Sequence, residues 1–208
     1  MPGKNVVLVE GTDDEHVVKH LCAFYGLPHL DKIDRLGGVD NLIESFPVRL
    51  KESDVNALGV VVDADTDLDA RFRSLRDLLV HTGYSHGPEM PSPVGTIFPP
   101  PAGTLLPRVG LWLMPDNSTN GILEDFIRIL VPSSNPLFLH VERSVDSIPS
   151  TERLFSELSR PKAVIHTWLA WQREPGRPIG TAITARYLDA SVPQVGVFIN
   201  WLRQLFWP

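Results

Sequence analysis

Ala57-Leu-Gly-Val-Val-Val-Asp63, continued by Ala64-Asp65, is the stretch on which the fold turns. Its apolar, largely β-branched run ends abruptly in acid, as expected of a strand buried on both faces of a parallel sheet. Upstream, Asn5-Val-Val-Leu-Val-Glu10 has the same form, a short apolar run closed by one acid and followed by Gly11-Thr12-Asp13-Asp14. Residues 109–114 form a third such run, and shorter strands are expected at 32–36 and 95–98. Between them lie helical patterns. Residues 13–25 carry Val17, Leu21 and Phe24 on one stripe and stop at Gly26 and Pro28. Residues 41–52 form a helix strained by Pro47. Residues 67–81 space Phe72, Leu75, Leu78 and Leu79 for a core and end at Gly83, and a further helix covers 121–130. Strands alternating with helices predict a central, mainly parallel, Rossmann-like sheet flanked by helices on both faces.

After about residue 135 the pattern turns helical, with segments expected at 151–158, 162–172, 179–188 and 194–206. The organisation predicted is an α/β core over 1–134 and a helical extension over 135–208, packed together as one structural domain.

The chain has 208 residues, 43% hydrophobic and 21% charged, which excludes collagen-like, disordered and disulfide-scaffold classes. A single cysteine, Cys22, cannot form an internal disulfide and fits a reducing compartment. The apolar run at the N-terminus is too short for a signal peptide or a span, and no later stretch is long enough to cross a bilayer. A cytoplasmic protein without a membrane partner is expected. The net charge of −6 argues against a coat protein that binds nucleic acid through charge alone. It leaves room for an enzyme with a local basic groove.

The acids stand where the predicted strands end. Glu10 closes the first, Asp63 and Asp65 follow the second, and Asp116, Glu124 and Asp125 follow the third. In a parallel sheet the carboxyl ends share one edge, where such folds bind ligands. Like charges brought together there need a cation, a shared proton or open water. Oxygen ligands of this kind select Mg²⁺ or Mn²⁺, and no cysteine or paired histidine is at hand for zinc. If the strand stays extended, Asp63 and Asp65 share a face and can hold the same metal. Asp13, Asp67 and Asn120 are expected to cap helices. His166 and the five tryptophans are expected in the core, and Arg71, Arg73 and Arg76 form a basic face beside the acids.

Glu10-Gly11 after one strand and Asp63-x-Asp65 after another resemble the Toprim domain of topoisomerases, primases, recombination proteins and OLD-family nucleases. That resemblance implies Glu10 as a general acid/base and the aspartate pair as Mg²⁺ ligands for phosphodiester chemistry. Glu10 with Asp14 is similar to the OLD-type variant, in which a second acid one helical turn on assists the metal. The same likeness implies that Glu124 and Asp125 complete a second metal site and that Lys162 stands near the metals, on the substrate phosphate. OLD nucleases also carry a separate ATPase domain, for which these residues show no counterpart. A longer resemblance is to the uncharacterised Toprim-like family DUF3226. It rests on Val62-Asp-Ala-Asp65, Gly110-Leu-Trp-Leu-Met-Pro-Asp-Asn117, Gly121-Ile-Leu-Glu-Asp-Phe126 and Lys162-Ala-Val-Ile-His-Thr-Trp-Leu-Ala-Trp-Gln172.

The expected function is Mg²⁺-dependent (or Mn²⁺-dependent) phosphodiester chemistry on nucleic acid, as a nuclease. Two alternatives stand beside it. One is a non-catalytic module binding a nucleotide, a partner protein or a second copy of the chain. The other is an enzyme for phosphotransfer or hydrolysis on a small phosphorylated substrate.

Overall fold

The computed structural model describes residues 3–208. Five strands, β1 (Lys4–Val9), β2 (Lys32–Arg35), β3 (Val55–Asp63), β4 (Thr96–Phe98) and β5 (Arg108–Met114), form one sheet in the order β2-β1-β3-β5-β4. The first four of that order are mutually parallel. β4 runs antiparallel to β5 at the sheet's edge, so the sheet is mainly parallel, as expected. The cause of the reversal is the connection, since no helix lies between β4 and β5 to carry the chain back to the same end.

Helices α1 (Thr12–Phe24), α2 (Val39–Arg49), α3 (Leu68–Thr82) and α4 (Leu123–Ile129) follow strands, and α5 (Pro136–Asp146), α6 (Arg160–Ala170), α7 (Ile179–Thr184) and α8 (Pro193–Phe206) complete the chain. Side chains alternate across a strand, so neighbouring residues serve two cores. Val7, Val9, Val61 and Trp112 face α1 and α4–α8, whereas Val6, Leu8, Val60 and Leu111 face α2 and α3. Residues 135–208 thus share the sheet's own core. Trp112 of β5 meets Phe198 and Trp201 of α8 with ring centroids 5.0 and 5.6 Å apart. Gly110 lets α8 lie this close, because a Cβ there would stand 2.6 Å from Leu205 Cδ2. No helix among the described residues is long and apolar enough to cross a membrane.

The helical extension differs from expectation in three places, one being that α7 stops at Thr184, short of the expected 188. Residues 151–158 form turns, with only a 3₁₀ turn at Glu157–Ser159, and Leu154 is 97% exposed. A helix with no expected counterpart is α5, which begins with an Asn135 side chain accepting from the Phe138 N–H at 3.0 Å and with Pro136 in its first turn.

Candidate functional site

β1, β3 and β5 end on the same edge, and the loops leaving them are tied together by hydrogen bonds. The Glu10 carbonyl accepts the N–H groups of Gly37 and Gly38 at 2.9 and 3.0 Å, which occupies both glycine amides. Its carboxylate Oε1 accepts the Asp63 N–H at 2.8 Å. Asp63 Oδ1 in turn accepts the N–H of Leu123, in the first turn of α4, at 2.8 Å. Asp14 Oδ2 accepts the Gly11 N–H at 3.0 Å.

Glu10, Asp14 and Asp63 receive backbone hydrogen bonds but no ion pair from a Lys, Arg or His among the described residues. Their electrostatics follow from that. Burial, with the charges of Glu10 and Glu124 added, pushes the Asp14 carboxyl up to about 7. Burial and the charges of Glu10, Asp14, Glu124 and Asp65 push Asp63 up to about 8. Glu10 is also raised by burial, against the opposing bond from the Asp63 N–H.

Asp65 is placed differently from the expected extended pair. β3 ends at Asp63, and Asp65 has φ +53°, in the left-handed region. Its backbone exchanges two 2.9 Å hydrogen bonds with Gly121. Its Oδ2 accepts from Arg71 Nη2 at 2.6 Å, while Arg71 Nε donates to the Asp63 carbonyl at 3.2 Å. Arg71 thus holds both ends of Asp63-Ala64-Asp65 rather than standing free on a basic face.

Asp125 closes the start of α4, its Oδ2 accepting the Ile122 N–H at 2.9 Å. Glu124, one residue earlier, is 3% exposed. Burial opposes its charge, but the His166 ring and the Lys162 ammonium outweigh burial and hold its carboxyl below the usual range. Lys162 Nζ and His166 Nε2 stand 3.7 and 3.8 Å from Glu124 Oε1.

Of the expected caps, Asp67 performs that role, accepting the Ala70 N–H at 2.9 Å. Asn120 instead serves α3 from across the edge, accepting the Leu68 N–H at 2.9 Å. Asp13 caps nothing, since Gly11 is the N-cap residue of α1 and Asp14 supplies the side-chain bond. Asp13, Glu124 and His166 each bring one potential ligand atom within 4.8 Å of the others. His166 is therefore no core residue, its side chain being 48% exposed. Of the tryptophans, Trp112, Trp168 and Trp201 are core and Trp171 is 44% exposed. A cavity of about 540 Å³ between α1 and β2, lined by Lys19, Cys22, Leu27, His29, Asp31 and Ile33, lies apart from these acids.

The geometry defines a class: a mainly parallel α/β protein whose strand ends bring buried carboxylates, one histidine and one lysine to a single edge. The family described as protein of unknown function (DUF3226) matches residues 4–207, and the chain belongs to that family. No curated protein and no solved structure gives a significant match.

Proposed function

We propose that this protein is a Mg²⁺- or Mn²⁺-dependent enzyme of nucleic-acid phosphodiester chemistry, a nuclease with a Toprim-like site related to that of OLD nucleases. One observation carries the reading. Glu10, Asp14 and Asp63 are gathered at the sheet edge with no basic partner, although burial penalises their charge. Hard oxygen donors in that state fit a divalent cation of the Mg²⁺ type. Glu10, Asp14 and Asp63 would hold it, with Asp65, Glu124 and Asp125 around them. The metal, when bound, would supply activation of water and neutralisation of charge on the phosphate.

The remaining work belongs to the chain. Glu10 serves as general acid/base, its carboxyl raised above its ordinary value by burial. Lys162, exposed at the rim beside Glu124, stabilises negative charge on the phosphate. Arg71 positions Asp63 and Asp65 through its two donors.

The test is cleavage of DNA and RNA with Mg²⁺ or Mn²⁺ added, in wild type, Asp63→Asn and Asp65→Asn. Both variants should lose cleavage while keeping the fold, and unchanged cleavage in both would sink the reading. Metal binding lost in Asp63→Asn, with no cleavage of DNA, RNA or nucleotides by wild type, would leave a nucleotide- or partner-binding module instead.

A further inference from the structure

α1 and α4 begin alike. In each, an aspartate at the third helical position turns back to the N-cap N–H: Asp14 to Gly11 and Asp125 to Ile122, at 3.0 and 2.9 Å. That satisfies the local capping need and leaves the acid one residue earlier, Asp13 or Glu124, without a capping task. Both spare acids meet the same imidazole. Asp13 from α1, Glu124 from α4 and His166 from α6 place their ligand atoms within 4.8 Å of one another.

Glu124 is the second, independent sign of a ligand. Its side chain is 3% exposed, and the two side-chain nitrogens beside its Oε1, Lys162 Nζ and His166 Nε2, stand at 3.7 and 3.8 Å, beyond ordinary hydrogen-bond length. A carboxylate this buried normally has short bonds to donors. Lys162, its other neighbour, is 59% exposed and free to swing into solvent without disturbing packing.

We propose that Asp13, Glu124 and His166 form a binding site for one divalent transition-metal ion, distinct from the Glu10/Asp14/Asp63 cluster. Two oxygens and an imidazole nitrogen favour Mn²⁺ or Zn²⁺ over Mg²⁺, which rarely takes nitrogen from protein. Donors about 2.1 Å from one ion lie at most about 4.2 Å apart. The group must therefore close by roughly half an ångström, and Asp13 and His166, both partly exposed, have room to do so. The site stands whether or not the protein cleaves phosphodiesters.

The experiment titrates Mn²⁺ into the full chain in saturating Mg²⁺, which fills the all-oxygen cluster, and follows free Mn²⁺ by electron paramagnetic resonance. Wild type should retain one Mn²⁺, with a nitrogen coupling in the pulsed spectrum. His166→Ala should weaken it at least about tenfold and abolish the coupling. His166→Gln, which keeps a polar head without imidazole, should behave the same, and Asp13→Asn should weaken binding. Asp63→Asn should leave this ion in place while losing Mg²⁺, so failure here and failure of the phosphodiester reading are separable. The proposal is overturned if His166→Ala and His166→Gln bind Mn²⁺ as wild type does, if wild type holds no Mn²⁺ above the Mg²⁺ background, or if Asp63→Asn alone removes it.

Discussion

The side chain of Glu10 accepts the backbone N–H of Asp63 at 2.8 Å, joining the ends of β1 and β3. The bond does two things at once. It satisfies a donor where the sheet ladder stops, and it fixes one carboxylate against the chain that carries the next. The acid edge is therefore tied directly to the backbone of the sheet.

That arrangement sets a pH dependence. Asp14 and Asp63 titrate at about 7 and about 8 in the folded chain, against an ordinary value of 3.8. The folded state thus binds protons that the unfolded state has released. Stability from these groups is fully present below about pH 4 and is lost as pH rises through 7 to 8. Metal-free protein should melt at a lower temperature at pH 8 than at pH 5.5, and Mg²⁺ should raise the pH 8 value far more than the pH 5.5 value. His20, held below its usual range by burial, acts in the opposite sense. A metal-free melting temperature that rises from pH 5.5 to 8 would contradict the account.

Asp63→Asn isolates the site's share. Asparagine keeps an oxygen for the Leu123 N–H, now 2.8 Å from Asp63 Oδ1, and removes the charge that Glu10, Asp14 and Glu124 oppose. Metal-free Asp63→Asn should be more stable than wild type at pH 8 by at least about 1 kcal/mol. The difference should vanish below about pH 3, where the wild-type carboxyl is neutral in both states. Chemical denaturation at the two pH values measures it.

The legible parts of this molecule were those decided by neighbours in the chain. The unbroken apolar run before Asp63 is a strand because every residue in it is buried, and Asp67 caps α3 from one position away. Pairing direction was not legible at β4, where the connection decides it. Leu154 and Leu158 have helical spacing but no core to face, whereas α5 had its signals, Asn135 and Pro136, in a stretch where no particular helix is expected. In the site, Glu10, Asp63 and Glu124 were readable as acids after strands. The left-handed backbone of Asp65 and its Arg71 partner were not, because both depend on the bridge to Gly121. Asp13 and His166 are far apart in the sequence and come together only in the tertiary fold; the one trace was His166 lying a helical turn after Lys162.

Arg71→Ala should loosen the acid edge. It removes donors to Asp65 Oδ2 and to the Asp63 carbonyl, and Asp65 then keeps its positive φ with only the Gly121 bridge to hold it. The pair is partly exposed, at 17% and 33%, so a destabilisation of about 1–2 kcal/mol is expected. Arg71→Lys should recover little, because one ammonium cannot replace the two-armed contact. Hydrogen exchange at the Asp65 and Gly121 amides should rise in Arg71→Ala. Protection equal to wild type would show that the bridge stands without the guanidinium.

The close seat of α8 on the sheet gives the last prediction, and it compares two glycines. At Gly110 an added Cβ would stand 2.6 Å from Leu205 Cδ2 and 2.9 Å from Trp201 Cζ2, and both side chains are buried with no space to retreat. Gly110→Ala should therefore destabilise the fold by about 1–3 kcal/mol through overpacking. Gly196, inside α8, has nothing within 4 Å of the same added atom and no positive φ. Gly196→Ala should be neutral or stabilising by up to about 1 kcal/mol, since alanine loses less backbone entropy in a helix. Urea denaturation of the two variants decides it. Equal stabilities would mean that α8 shifts on the sheet readily, and that the helical extension does not grip β3 and β5 as tightly as Trp201 and Leu205 indicate.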